Sequence, residues 1–256
     1  MRLPIAAAAA LALASCAALP GDDDDRYLHP RAFDARDHLP PPPADGTPAE
    51  RRDREIFQAT RALKDTPRWS LAQADAEKDR ILDGYACALG ASITPQTNPK
   101  LAATMERMRG DVRAAVAGPK LKHLRPRPYL FEEGPICLPK TIGLAVSPDY
   151  PSGHSTWGWA VGLLLAEAAP DRAPAILARA QGFAESRVVC GVHNMSSVDA
   201  GRRNALNLQK ALRRSRTFKA DLAQVRTEMD AVRRTAPAPD ALRCQAENAL
   251  VARPLL

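Results

Sequence analysis

The stretch Ser186-Arg-Val-Val-Cys-Gly-Val-His-Asn-Met-Ser-Ser-Val-Asp-Ala-Gly-Arg202 reads as the end of one helix, a glycine turn and the start of a second helix. Gly191 closes the first, and Ser196-Ser-Val-Asp199 supplies a cap and an acidic first turn for the second. Arg187 and His193 therefore flank a turn and can face one pocket. Working outward, segments near 48–64, 69–91, 97–117, 155–168, 171–189, 197–213 and 217–235 all read as helices. Ile56, Ala59, Ala62 and Leu63 show the interval. No alternating strand pattern accompanies them. Aromatic residues are 5 % of the chain and alanine is abundant, which suits close helix packing. The expected fold is all-α, a compact helical bundle.

With 256 residues, 45 % of them hydrophobic, the chain can bury one substantial core, and no internal repeat suggests a second. Residues 1–18 read as a secretory signal, with Leu13-Ala14-Ser15-Cys16 resembling a lipobox in which Cys16 becomes lipidated; cleavage after Ala17 or Ala18 is the alternative. That places the chain in the periplasm or outside the cell, freely soluble or anchored as a lipoprotein. Beyond the leader the longest apolar run, Trp157–Ala166, is far shorter than the ~20 residues that cross a bilayer. Residues 19–46 carry four consecutive aspartates and Leu39-Pro-Pro-Pro-Pro43, and should lie extended over the surface of a helical domain spanning 47–256. The net charge of +7 is spread along the chain, so no nucleic acid partner is expected. Cys87, Cys137, Cys190 and Cys244 make an even count in an exported chain and suggest two disulfides, in any of three pairings. The long connection from Gly118 to Ser152 is rich in proline and glycine, and a loop of that length points to function.

Three motifs carry the chemistry. Lys120-Leu-Lys-His-Leu-Arg-Pro-Arg127-Pro128 sets a lysine and an arginine seven positions apart in a stiff cationic loop. Such a loop fits an oxyanion, although alone it reads more readily as a basic surface loop. Tyr150-Pro151-Ser152-Gly153-His154 opens an apolar helix, where Ser152 and the Gly153 backbone can take an anion at the positive dipole end. His154 stands at that mouth as a proton donor. The third motif, the Ser186–Arg202 stretch, adds Arg187 and His193. Together they compose a phosphate site with nucleophile and acid supplied.

In this order and spacing, Lys-x6-Arg-Pro, Pro-Ser-Gly-His and Ser-Arg-x5-His resemble the signature of the type 2 phosphatidic acid phosphatase superfamily. Tyr27-Leu-His-Pro, Leu39-Pro-Pro-Pro-Pro-Ala44 and Thr60-Arg61 are similar to the bacterial class A non-specific acid phosphatases, so the likeness covers most of residues 27–210. The resemblance implies a metal-independent acid phosphatase without cofactor, acting on phosphomonoesters, releasing inorganic phosphate and pairing as a homodimer. It implies that His193 attacks phosphorus to form a phosphohistidine and that His154 protonates the leaving alcohol. Lys120, Arg127, Ser152, Gly153 and Arg187 hold the phosphate oxygens.

One position departs from the pattern. The family continues from the nucleophile as His-x3-Asp, with the acid orienting the imidazole, and here that position is Ser197. Asp199 is two residues later, rotated by roughly 200° on a helix, and should point elsewhere. Ser197 could accept the imidazole N–H, or Asp149 or Glu185 could replace the missing acid. Reduced turnover is one consequence; the alternative is a degenerate chain that binds phosphate or a phosphoester without hydrolysing it. Vanadate-dependent peroxidase chemistry is the remote third reading.

Overall fold

The computed structural model describes residues 25–253 and 255, so the leader and the lipobox at Cys16 lie outside the described residues. The described residues hold ten α-helices and no strand. In chain order α1 spans Pro48–Arg61, α2 Pro67–Ala74, α3 Ile81–Leu89, α4 Pro99–His123 and α5 Ile142–Val146. Next come α6 Gly153–Ala168, α7 Ala173–Val189, α8 Met195–Leu212, α9 Arg216–Thr235 and α10 Ala241–Val251. Among the described residues no helix is long and apolar enough to cross a membrane.

Helix α6 is the axis of the bundle, buried nearly all round against α7, α8, α4 and α9. Its Leu164 and Leu165 are fully buried with Phe183 and Ile176 of α7 and Leu208 of α8. Gly201 of α8 permits the close crossing: a Cβ there would stand 2.7 Å from the Ser152 carbonyl oxygen. This contact matters for function because it brings the starts of α6 and α8 together.

The boundaries near the site differ from the sequence reading. The expected 69–91 helix is broken into α2 and α3, where Asp75 after Ala74 turns inward to meet tertiary partners. The Asp75 carboxylate accepts bonds from Arg179 of α7 and from Ser186 Oγ at 2.6 Å. Conversely, α4 runs past the expected stop at 117 and through Pro119, so Lys120 stands in its last turn and not in a loop. A proline inside a helix leaves the carbonyl four residues earlier without its donor. Here Asn204 of α8 donates to that carbonyl, Ala115 O, at 3.0 Å, which lets the helix continue.

Two further expectations are corrected. The arm is not confined to the surface: Tyr27, Ala35 and Leu39 are buried. The Tyr27 and Leu28 amides donate to Asp111 at 2.9 and 3.0 Å, and Tyr27 stacks edge-on against Phe218 at 5.2 Å. Helix α10, absent from the sequence reading, begins at Asp240, which caps it by accepting from the Arg243 amide at 2.7 Å. The four cysteines pair as Cys87–Cys244, which ties α10 to α3, and Cys137–Cys190, which ties the long connection to the end of α7.

Candidate active site

Three chain segments converge on a cavity of about 700 Å³. Lys120, Arg127, Gly153, His154, Arg187 and His193 all line it; of the residues expected at the site, only Ser152 does not. Its hydroxyl caps α6, accepting from the Ser155 amide at 3.2 Å and from Ser155 Oγ at 2.9 Å. The capped helix presents its positive end, at Gly153 and His154, to the cavity.

Gly191 ends α7 with φ +75°, a left-handed conformation suited to glycine, and Val192 and His193 follow into the cavity wall. Arg61 of α1 fixes this turn by donating to the Val188 and Val189 carbonyls, both at 2.8 Å, and to Pro135 O. The start of α8 is capped differently from the sequence reading. Asn194 is the boundary residue, and the cap comes from another helix: Asp53 of α1 accepts from the Ser196 amide at 2.9 Å and from its hydroxyl. Asp199 is exposed and completes no capping box.

His193 is buried and held from both sides. Nδ1 donates to Asp149 Oδ1 at 2.7 Å, and Nε2 lies 3.0 Å from Arg127 Nη1. A guanidinium can only donate, so Nε2 is the acceptor and its lone pair is held by Arg127 at the cavity wall. Burial, then the Arg127 charge, push the His193 pKa down to about 3 against the pull of Asp149. The ring therefore rests neutral in the tautomer a nucleophile requires.

Asp149 is the residue that sequence spacing could not assign. It is fully buried and accepts from His193, from Ser197 Oγ at 2.6 Å and from Asn194 Nδ2 at 2.8 Å, with Arg125 Nη1 at 3.5 Å. Burial raises its pKa, but the His193 bond, Arg125 and Ser197 outweigh that and hold it below the usual carboxylate range. Ser197 thus donates to the acid and does not accept from the imidazole. Glu185 instead accepts from Gln181 at 2.7 Å. Arg125, given no role by the sequence, bonds Asp53 at 2.9 Å and Ser196 Oγ at 2.7 Å, joining the carboxylates behind the site.

His154 stacks on Phe183 at 5.1 Å and donates from Nε2 to the Asp75 carbonyl at 2.6 Å. That bond leaves Nδ1 for proton exchange. Burial and then Arg187 push its pKa well below the ordinary histidine value. Burial lowers Lys120 to about 8, with Arg127 adding to the effect. Arg127 donates to Ser147 O at 2.8 Å and Val192 O at 2.7 Å, and Lys120 to Pro148 O. Arg187 is the exception. It is 4 % exposed, yet its Nε and Nη1 have no hydrogen-bond partner among the described residues. Burial, then Arg127, lower it to about 10.

Two cations already held by carbonyls, a third with two unpartnered buried donors, a helix N-terminus and two oppositely tethered imidazoles surround one cavity, an arrangement suited to an anion. The PAP2 superfamily profile matches residues 113–203, which contain all of these groups. The chain is 39 % identical over 214 residues to an acid phosphatase of Zymomonas mobilis, covering 82 % of this chain and 81 % of that one. It is 35 % identical over 199 residues to a non-specific acid phosphatase of Salmonella typhimurium, covering 75 % and 79 % of the two chains. With a non-specific acid phosphatase of Providencia stuartii it shares 33 % over 221 residues, 82 % of this chain and 88 % of the relative. The chain belongs to the bacterial class A acid phosphatase family of the PAP2 superfamily.

Proposed function

We propose that the chain hydrolyses phosphomonoesters in two in-line displacements through a phosphohistidine at His193. The observation that carries this reading is the buried Arg187 guanidinium, whose unpartnered Nε and Nη1 lie in the same cavity wall as His193 and His154. A buried cation with open donors is costly, and a phosphate dianion offers the matching acceptors.

In the first step Nε2 of His193 forms a bond to phosphorus as the ester P–O bond breaks. Protonated His154 gives its Nδ1 proton to the departing alkoxide. In the second, neutral His154 takes a proton from water as that water attacks phosphorus, the P–N bond breaks, and inorganic phosphate leaves. His154 ends protonated, ready for another cycle. Its proton is favoured when a dianion offsets Arg187, the cation that depresses it most after burial, and at acidic pH. Arg127 must release Nε2 of His193 and turn to the phosphate oxygens, joining Lys120 and Arg187. Phosphoryl transfer depends mainly on positioning and charge stabilisation, which fixed cations supply.

Asp149 keeps His193 in the reactive tautomer and stabilises the positive charge that forms as Nε2 attacks. This supports turnover and removes the motive for reading the Ser197 position as the mark of a binding protein. Rapid quenching with labelled p-nitrophenyl phosphate, in excess chelator, should trap acid-labile phosphate on the protein, mapped to His193. Turnover that persisted in His193→Ala, or label on another residue, would overturn the mechanism.

A further inference from the structure

Besides the three phosphate-binding cations, the cavity wall carries Lys78, Arg109 and Arg113, and among the described residues no carboxylate lines it. One phosphate dianion leaves most of that charge unanswered. Burial lowers the pKa of Lys78, and Arg187, Arg109 and Arg127 lower it further against the pull of Asp79.

The cations are arranged along a line. Arg109, Arg113, Val116 and Lys120 follow at helical intervals on one stripe of α4. At 1.5 Å per residue, Arg113 and Arg109 stand about 10 and about 16 Å from Lys120 along the axis. Val112, Val116, Ala117 and Trp157 make the wall between them apolar. Lys78 enters the same cavity wall from just beyond the turn whose Asp75 carbonyl holds His154.

Two buried donors here lack partners among the described residues. Trp157 is 4 % exposed with its indole N–H unbonded, and the Arg109 guanidinium stacks over that ring at 4.7 Å with Nε unsatisfied. Glu106 lies 3.3 Å from Nε outside hydrogen-bonding geometry, and Asp79 is 4.0 Å from Nη1; neither lines the cavity. Donors without a partner among the described residues, cations that outnumber the carboxylates beside them and an apolar spacer point to an anion held away from the reacting phosphate.

Resting on the phosphatase reading above, we propose that Lys78, Arg109 and Arg113 form a second anion site, selecting phosphomonoesters whose alcohol carries a further phosphate or carboxylate roughly 10 Å from the ester phosphate. The spacer between the two groups is apolar. The second anion leaves with the alcohol, so its recognition acts on binding and orientation and not on the chemistry at phosphorus.

The test compares kcat/KM for hexyl phosphate, 6-phosphonooxyhexanoate and hexane-1,6-bisphosphate at low salt. We expect the doubly anionic substrates to be favoured by about tenfold or more, the ratio that one good charge contact supplies. Arg113→Ala, an exposed position that should not disturb folding, should reduce that preference while leaving kcat on hexyl phosphate unchanged, and the double variant Lys78→Ala/Arg109→Gln should reduce the preference as well. The ranking of carboxylate against phosphate identifies the preferred group. Equal kcat/KM for all three substrates, or a preference that survives both variants, would overturn the proposal. Calorimetry with hexylphosphonate and hexane-1,6-bisphosphonate separates this site from the phosphatase reading. Tighter bisphosphonate binding without turnover of any ester would sink the phosphatase reading and uphold the second site, whereas turnover with equal phosphonate affinities would do the reverse.

Discussion

Asp149, at the end of the long connection, meets His193, at the head of α8, at 2.7 Å across 44 residues of sequence. The same carboxylate accepts from Ser197 at 2.6 Å, so acid and hydroxyl form one buried pair behind the imidazole. Asp149→Asn can offer the wrong group to Nδ1 and removes the charge. By analogy with loss of the orienting acid in a serine-protease triad, kcat should fall by up to about 10⁴ with little change in KM. Because the two side chains are hydrogen-bonded neighbours, Asp149→Ser/Ser197→Asp should recover part of that loss. Steady-state kinetics on the single and double variants decides it: a double variant no better than Asp149→Asn would mean that the acid works only from position 149.

Lys120 has a pKa of about 8, lowered by burial and then by Arg127. It is charged below that pH and loses its charge as pH rises through it, so phosphate capture weakens on the alkaline side. Since kcat/KM reports the free enzyme, its alkaline limb should fall with an apparent pKa near about 8. Lys120→Arg keeps the charge and should move that limb upward; a pH profile unmoved by the substitution would show that another group sets it.

Asn204 donates to the Ala115 carbonyl that Pro119 leaves open. Asn204→Ala buries that acceptor without a partner, at a cost of about 1–3 kcal/mol. The loss falls on the turn that carries Lys120, so urea unfolding should show reduced stability and kinetics a raised KM. Pro119→Ala, which restores the amide donor, should relieve the defect in the Asn204→Ala background.

Arg61 satisfies the last carbonyls of α7 while stacking on Phe57 at 4.6 Å and Trp69 at 5.6 Å. Burial lowers its pKa to about 10. Arg61→Ala removes several charge-assisted bonds and should cost about 3 kcal/mol or more in chemical denaturation. The turn before His193 loosens as well, so kcat should fall together with Tm. An unaltered Tm would show that water satisfies Val188 O and Val189 O equally well.

How far the sequence reached differs from residue to residue. The helical intervals and the Ser186–Arg202 turn were legible because they depend on local spacing, and Arg187 and His193 do line one cavity. Ser152 at a helix start reads both as a cap and as a phosphate ligand, and the Ser155 contacts show the capping role. The break after Ala74, the passage through Pro119 and the cap on α8 were not legible. Each is set by a side chain from another helix: Arg179, Asn204 and Asp53.

The sequence by itself determined the helical class, the three motifs and the absence of an acid four residues after His193, all matters of residue type and interval along one chain. Only the tertiary structure decided which acid orients His193, which cations remain open to an anion and how the extra cations align along α4. Those depend on distances through space. A hydrogen bond holds over about 3 Å, and only the close crossing of α6 and α8 brings Asp149, Ser197 and His193 within that reach.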